Sequence, residues 1–414
     1  MSESVAALTE RFFRYLAVSS QSDAAQQAVP SSPGQLQLAR LLAEELRALG
    51  LSDVHIDEHG ILTAWRPGEL PAAPRIGFVA HLDTVDVGLS PDIRPQVLRF
   101  DGEPLCLNRE QDIWLMPEDH PALRAYQGEE LIFSDGTSVL GADNKAGVAV
   151  IMQLLETLRA APFPCGDLYV AFVPDEEIGL RGAKRLDLGR FPVDFAYTID
   201  GAELGELVYE TFHAGRATVT VRGVPAHPIS AKGVLVNPVL VACDLIGRLD
   251  PQETPEHTEG REGYFYVTDL HAGPSQAQLH INIRDFDQAQ YEARKQFVER
   301  CVRETRANWP RAGITCELED VYGNILDAAG EDRRALTLLE GAFRQVGVEA
   351  HVKPMRGGTD GSALSARGVF TPNYFTGAHN LHSNFECLPL SSFLKSYQVT
   401  QALVRLGAEA VRSG

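Results

Sequence analysis

The chain has 414 residues, of which 44% are hydrophobic and 22% charged, a composition typical of a folded globular protein and one that excludes a largely disordered chain. Its 37 Lys and Arg against 56 Asp and Glu give a formal net charge of −19, and no basic cluster offsets it. Phosphate backbones and anionic membrane surfaces would repel such a chain, so neither nucleic acid nor a membrane is expected as a partner.

The N-terminal segment interrupts its apolar residues with Glu3, Glu10 and Arg11, unlike a secretory signal peptide. No run of about 18 apolar residues occurs, so we expect no transmembrane helix. The six cysteines are scattered without a Cys-x-x-Cys pair, as expected for reduced thiols. These features predict a cytoplasmic protein.

The first elements are helical. Apolar residues recur at helical spacing through the first 16 positions, and again over Gln35–Leu49, where Gly50 ends the second helix. A polar, Ser- and Pro-rich loop, Ser19–Pro33, separates the two. Further on, Gly88–Glu130 is poorly periodic and rich in Pro and Asp, which predicts a long surface excursion.

Short apolar runs then alternate with helical patterns. Between the runs Arg75–Ala80 and Asp167–Val173, the pattern of Ala146–Arg159 predicts an amphipathic helix. Nearly continuous apolar runs indicate strands buried on both faces, so the alternation predicts an α/β fold. The runs are Arg75–Ala80, Asp167–Val173, Phe195–Ile199 and Val369–Phe375.

From about Tyr209 the strands alternate apolar and polar residues, as strands with one wet face do. Two helical stretches, Pro238–Leu249 and Ala289–Asn308, lie among them. The pattern predicts a small α+β domain over 210–325, inserted into an α/β domain formed by 1–209 and 326–414.

Acidic and imidazole side chains collect where the predicted strands end. In open α/β sheets, ligands bind beyond the carboxyl ends of the strands. An additional acid, Asp143, precedes the helix that begins near Lys145. The strand-end residues are His81 and Asp83, Asp175 to Glu177, Asp200, and His379 with His382.

Carboxylates converging at one crevice repel one another by several kcal/mol unless cations lie among them. Two histidines and three carboxylates suit Zn²⁺, Mn²⁺ or Co²⁺, and two ions about 3.5–4 Å apart that share one carboxylate would use all five. A sixth, unligated acid would then be free to take a proton from water. Taken singly, each motif is more often a solvated turn or a helix cap. Together, at successive strand ends, they indicate a two-metal site with a free acid beside it.

These motifs carry a family resemblance. The ordered set AHLDTVD, GADNKAG, PDEEIG, TIDGAE and HNLHS resembles the M20 family of dinuclear zinc aminoacylases and peptidases. Within it, GVPAHP, INIRDFD and RGGTDGSALSARG are most similar to the peptidase T branch, the tripeptide aminopeptidases. The resemblance implies a zinc-peptidase catalytic domain with a mixed sheet covered by helices, plus an inserted α+β lid and dimerisation domain.

The resemblance also implies the roles of the site residues. Glu176 would be the general base, and Asp83 would hydrogen-bond His81 and fix its tautomer. Two Zn²⁺ per chain, with Co²⁺ or Mn²⁺ possible, would be held by His81 and Asp200, by Glu177 and His382, and by Asp143 as the bridge between them.

In the inserted domain, the resemblance implies that His227 reaches the active site of a partner subunit and stabilises the oxyanion, and hence that the protein is a homodimer. Arg284 and Arg356 are candidates to bind the carboxylate of a short peptide substrate. Arg284 could instead pair with Asp285 or Asp287.

The chain departs from the family pattern at Asn144, where a second acid is usual, so the charge of the site changes by one.

The expected function is release of the N-terminal residue from short peptides, most readily tripeptides. The closest alternative is an N-acyl amino acid hydrolase, dipeptidase or carboxypeptidase with the same metal site. A catalytically inactive metal-containing binding protein is more remote, because it would not need an unligated Glu176. A serine or cysteine hydrolase is disfavoured by the absence of Gly-x-Ser-x-Gly.

Overall fold

A computed structural model describes residues 3–412 of the chain. These residues divide into two compact units. The first unit runs to Tyr209 and continues at Ala328–Lys353 and from Thr359 onward, whereas the second unit consists of Glu210–Asp327 and Pro354–Gly358. The second unit is therefore an insertion to which one short, later segment returns.

The strands are short, with three to six residues in most of them. In chain order they are β1 (Ser52–Ile56), β2 (Leu62–Arg66), β3 (Ile76–His81), β4 (Gln96–Phe100), β5 (Leu105–Asn108), β6 (Ile113–Leu115), β7 (Glu129–Phe133), β8 (Leu168–Val173), β9 (Phe195–Gly201), β10 (Glu206–Val208), β11 (His213–Arg222), β12 (Tyr264–Ala272), β13 (Gln276–Asp285), β14 (Gly313–Tyr322), β15 (His351–Val352), β16 (Asn373–Phe375) and β17 (Cys387–Pro389).

The α-helices are α1 (Glu3–Leu16), α2 (Pro33–Ala48), α3 (Ala142–Ala160), α4 (Pro238–Ile246), α5 (Gln288–Asn308), α6 (Arg334–Val346), α7 (Asp360–Ser365) and α8 (Leu390–Arg412). Short 3₁₀ helices lie at Pro121–Tyr126, Ala183–Arg185, Pro228–Ser230 and Ile325–Ala328. Within residues 3–412, no helix has the length and apolar character needed to cross a bilayer.

An eight-stranded sheet with the order β1-β2-β8-β3-β9-β16-β10-β15 forms the centre of the first unit. Strands β8, β3, β9 and β16 are parallel, whereas β1 with β2, β2 with β8 and β10 with β16 are antiparallel pairs. Every residue of β3 and β8 is buried, as their continuous apolar sequences predict. Helix α3 packs on β3 and β9, and α1 and α8 pack on α3. The predicted α/β fold with a mixed sheet is confirmed.

The prediction of a long surface excursion over Gly88–Glu130 is wrong. Strands β4 and β7 from this region join β17 in a three-stranded sheet, and β5 and β6 form a hairpin. Buried side chains such as Phe100, Leu115 and Leu131 give the region a hydrophobic core of its own. The sequence hid this arrangement because the strands are too short to show a period, and because β17 lies far along the chain.

The predicted strand over Val369–Phe375 is also shorter than expected, since only β16 forms a regular ladder. The carbonyls of Phe370 and Pro372 accept hydrogen bonds from the backbone N–H groups of Ala196 and Thr198. Pro372 has no N–H to donate, so the ladder does not continue through it.

The second unit contains a four-stranded antiparallel sheet with the order β12-β13-β11-β14. Residues of β13 alternate between buried and half-exposed positions, as the alternating sequence predicts. Helices α4 and α5 pack against this sheet, and its core includes Val219, Leu279 and Ile281.

The close approach of α3 to β9 requires a glycine at position 147. A Cβ atom added there would lie 2.3 Å from the carbonyl oxygen of Ile199 and 2.1 Å from Asn144 Oδ1. Because backbone atoms cannot move aside cheaply, Gly147→Ala is expected to lower the free energy of unfolding by about 1–3 kcal/mol. Chemical denaturation measures this change.

Gly341→Ala in α6 is the matched control for this prediction. Its added Cβ would lie 3.1 Å from Leu406 Cδ1, the end of a flexible side chain. The better helix propensity of Ala offsets that contact, so a change below about 1 kcal/mol is expected. Equal stability of both variants would contradict the close approach of α3 to β9.

Candidate metal centre

Parallel strands bring four of the predicted site residues to one edge of the sheet. His81 is the last residue of β3, and Asp200 lies near the end of β9. Glu176 and Glu177 follow β8 after Pro174. Since β3 pairs in parallel with both β8 and β9, the carboxyl ends of all three strands lie side by side.

Asp143 and His382 complete this group from two other segments. Asp143 lies at the start of α3 with non-helical backbone angles, so regular helix begins only after it, as predicted. Its Oδ1 atom lies 2.9 Å from His81 Nε2, and its Oδ2 atom lies 3.2 Å from Nε2 of His382. The two oxygens of Asp143 thus face two different histidines.

Three sets of side chains place their possible ligand atoms within 4.8 Å of one another and could each hold a metal ion. They are His81, Asp143 and Asp200; Asp143, Glu177 and His382; and His81, Glu176 and Glu177. The first two sets have only Asp143 in common and together contain the five residues predicted as ligands. Glu176 belongs to the third set alone.

The hydrogen bond of His81 indicates which of its nitrogen atoms is available to a cation. His81 Nδ1 lies 2.9 Å from the carbonyl oxygen of Asp83. Because a carbonyl oxygen only accepts, Nδ1 donates the hydrogen, and in neutral imidazole Nε2 then presents a lone pair. That lone pair faces oxygens of Asp143 and Asp200, an arrangement that a cation would stabilise. Asp200 Oδ1 is buried and has no hydrogen-bond partner among the described residues. The donor set therefore fits metal ions.

The hydrogen bond that the sequence analysis predicted between Asp83 and His81 involves the backbone carbonyl of Asp83, and the carboxylate has other partners. The Asp83 carboxylate lies 3.4 Å from His81 Nδ1, farther than its own backbone carbonyl. The same carboxylate accepts the backbone N–H groups of Glu176 and Glu177, at 3.0 and 3.1 Å. This fully buried side chain thus ties the end of β3 to the turn after β8.

The electrostatics of the cluster show how closely its charges are packed. Burial and the charge of Asp143 raise the pKa of Asp200 to about 7. Burial also raises the pKa of Glu176 well above its usual range. Hydrogen bonds with Asp143 and Glu177 raise the pKa of His382 to about 10. Charges packed this closely favour the binding of compensating positive charge, which cations could supply.

Asp175 positions the turn that carries Glu176 and was assigned no role from the sequence. Its backbone has a φ of +57°, a conformation that costs free energy for a residue other than glycine. Its buried carboxylate accepts hydrogen bonds from Ser31, through both N–H and Oγ, and from Gln35 Nε2. These contacts hold the turn against the start of α2 and the residues just before it.

Two further buried acids, Asp360 and Glu386, were not predicted. Asp360 is the first residue of α7, and its Oδ1 atom has no hydrogen-bond partner among residues 3–412. Its charge contributes to the raised pKa of Glu176, so the two lie near each other. Asp360 stands in RGGTDGS, a motif that the sequence analysis singled out, and that position was the available signal; Glu386 lies three residues after the motif HNLHS, and no such signal marked it.

The remaining predicted residues, His227, Arg284 and Arg356, lie in the second unit. His227 is exposed, and its Nδ1 accepts the N–H of Ile229 at 3.3 Å. The residue therefore lies at the surface of this unit.

Both predicted substrate-binding arginines have partners within the second unit. Arg284 donates to the carbonyls of Gly215 and Ile283, each at 3.0 Å, while Asp285 pairs with Arg294. The predicted alternative was pairing of Arg284 with Asp285 or Asp287. Asp285 pairs with Arg294 instead, and the side chain of Asp287 accepts the backbone N–H of Gln290 at the start of α5.

Arg356 donates more hydrogen bonds within the second unit than Arg284 does. It donates to the carbonyls of Gly260 and Glu262 and to Thr258 Oγ1, at 2.7–3.2 Å. Its guanidinium also lies over the rings of Phe212 and Tyr264. Much of its donor capacity is used inside the unit.

Comparison with known proteins gives concordant matches. The model of Peptidase family M20/M25/M40 matches residues 141–406. A peptidase T-like protein of Yersinia pestis is 61% identical over 403 residues, covering 97% of this chain and 98% of the relative. A peptidase T of Geobacillus kaustophilus is 41% identical over 402 residues, covering 96% and 98%. The crystal structure of an aminopeptidase from Bacillus cereus superposes with a TM-score of 0.77 at 21% identity, covering 98% of this chain and 99% of that one.

Proposed function

The chain belongs to Peptidase family M20/M25/M40, and on that basis we propose that it is a two-metal aminopeptidase that releases the N-terminal residue from short peptides, most readily tripeptides. The observation that carries the proposal is that the two oxygens of Asp143 face different histidines, His81 and His382. A carboxylate shared in this way is the geometry that a two-metal site needs.

The proposed ligands follow from the two sets that share Asp143. Two Zn²⁺ ions, or Co²⁺ or Mn²⁺ with the same donors, would polarise the scissile carbonyl and lower the pKa of the attacking water towards about 7. One ion is assigned to His81, Asp200 and Asp143, and the other to Glu177, His382 and Asp143.

Glu176 is proposed as the general base. If the first two sets hold the metals, Glu176 keeps a free carboxylate, although the third set shows that it could also act as a ligand. The backbone N–H of Glu176 is held by Asp83, which fixes the turn beneath the carboxylate. Its carboxylate takes a proton from the water that attacks the peptide carbonyl, and then delivers that proton to the leaving amine.

The second unit is assigned the remaining functions. We assign residues 210–325 to a lid and dimerisation domain, and His227 to oxyanion stabilisation in the partner subunit of a homodimer. Arg284 and Arg356 remain candidates for the peptide carboxylate, although both already donate to backbone carbonyls. The proposed compartment is the cytoplasm.

Three substrates test the proposal: a free tripeptide, its N-acetylated form and the matching dipeptide, with products identified by mass spectrometry. We expect the zinc-loaded protein to release the first residue from the free tripeptide and to leave the acetylated peptide intact. Glu176→Gln, measured in parallel, controls for contaminating peptidases. Cleavage of only the acetylated compound would move the protein to the N-acyl hydrolases, and preference for the dipeptide would identify a dipeptidase. Failure to cleave any of them would favour the inactive binding protein.

A further inference from the structure

Glu386 is a buried carboxylate that the proposed mechanism does not use. Only 1% of the residue is exposed. Its Oε2 atom accepts the backbone N–H of Gly141 at 2.9 Å, and its Oε1 atom accepts the backbone N–H of Asp143 at 3.2 Å. Both oxygens therefore hold the backbone that presents the shared carboxylate, rather than the carboxylate itself.

The position of Glu386 in the chain gives this contact its meaning. His382 stands four residues earlier in the same segment and contacts Asp143 Oδ2 with its Nε2 atom. The segment after β16 thus contacts Asp143 at two points. The imidazole of His382 lies against the carboxylate of Asp143, and the carboxylate of Glu386 accepts the backbone N–H of Asp143. Two contacts from one segment fix both the distance and the orientation of Asp143 relative to His382.

From this geometry we infer that Glu386 is a positioning residue for the metal centre: it holds Asp143 in register with His382 so that one carboxylate can serve both metal ions. The inference rests on the proposed two-metal function. A carboxylate in such a position costs desolvation free energy, and two backbone N–H donors offset part of that cost. An apolar residue would avoid the cost but would leave both N–H groups without an acceptor.

The substitution Glu386→Gln tests the inference. Glutamine keeps the shape of the side chain but turns an NH₂ group towards one of the two backbone donors, so one hydrogen bond is lost and two donors face each other. Loss of an outer contact of this kind typically weakens metal binding about 10–100-fold. We expect that loss of affinity when apo protein is titrated with Zn²⁺ against a competing chelator. With Co²⁺ we expect an altered visible absorption spectrum, which reports ligand geometry independently of activity.

Tyr126→Phe is the matched control. The Tyr126 hydroxyl lies 3.0 Å from His379 Nε2 and 3.2 Å from Ser392 Oγ, so it stabilises the same segment without touching Asp143. We expect Tyr126→Phe to lower the melting temperature while its Zn²⁺ affinity stays within about twofold of the wild type. If Glu386 were merely structural, both variants would lose stability and both would keep their affinity, and the inference would be wrong.

Two further outcomes keep the test decisive. If Glu386→Gln does not fold, Glu386→Asp takes its place: it keeps the charge and both acceptors at a shorter reach, so a smaller loss of affinity is expected, and unchanged affinity overturns the inference. If the wild-type protein itself binds fewer than two ions per chain, the proposed function fails rather than the role of Glu386.

Discussion

Replacing Glu176 by Gln is expected to lower kcat by a factor of about 10²–10⁴ while the protein still binds two metal ions per chain. Glutamine has nearly the size of glutamate but cannot accept the proton of the attacking water. The hydrogen bond from the backbone N–H of Glu176 to Asp83 does not depend on the side chain, so the turn should keep its place. Steady-state kinetics on a free tripeptide and metal analysis of the same sample measure both quantities.

The neighbouring substitution Glu177→Gln provides the control. It makes the same chemical change one residue away, at a side chain whose Oε1 atom lies 3.0 Å from His382 Nε2. We expect this variant to lose metal, and to lose activity for that reason. The opposite result, metal loss in Glu176→Gln with retention in Glu177→Gln, would make Glu176 a ligand and would exchange the two proposed roles.

These neighbouring glutamates also show how far the sequence alone could lead. Strand-end positions predicted that His81, Glu176 and Asp200 lie together, because the carboxyl ends of parallel strands must meet at one edge. Long apolar runs such as β3 made those strands easy to recognise. The location of the candidate site could therefore be predicted from local pattern and topology.

The sequence could not reveal contacts that depend on where separate segments pack. His382 follows Asp143 by 239 residues, so their contact depends on the loop after β16. The buried acceptor Glu386 is invisible for the same reason, since an acid in a loop is usually solvated. The internal partners of Arg356 come from the segment 258–262, whose fold no periodicity predicts. The hydrophobic core of residues 88–130 could not be predicted, because strand β17, which completes their sheet, lies far along the chain.

Asp143→Ala is expected to have the broadest effect on the metal centre, because this carboxylate belongs to both proposed metal sets. We expect dialysed protein to retain less than one ion per chain. A bound metal typically supplies several kcal/mol of transition-state stabilisation, so its loss should reduce kcat/KM by more than about 10³-fold. Metal analysis and kinetics on one preparation test both expectations.

His382→Ala is the comparison that gives this result its meaning, because His382 belongs to one set only. It should lose one ion and keep the other, held by His81, Asp200 and Asp143. The melting temperatures of the metal-free proteins distinguish a folding defect from metal loss. The backbone N–H of Asp143 still donates to Glu386 after truncation of the side chain, so apo Asp143→Ala should melt close to the apo wild type.

Zn²⁺ should raise the melting temperature of the wild type, because a ligand that binds only the folded state stabilises it by mass action. Added Zn²⁺ should raise the melting temperature of His382→Ala by less, and it should leave the melting temperature of Asp143→Ala nearly unchanged. If Asp143→Ala instead kept one ion and half of the thermal shift, Asp143 would serve a single metal, and the bridging geometry on which the proposed function depends would have to be abandoned.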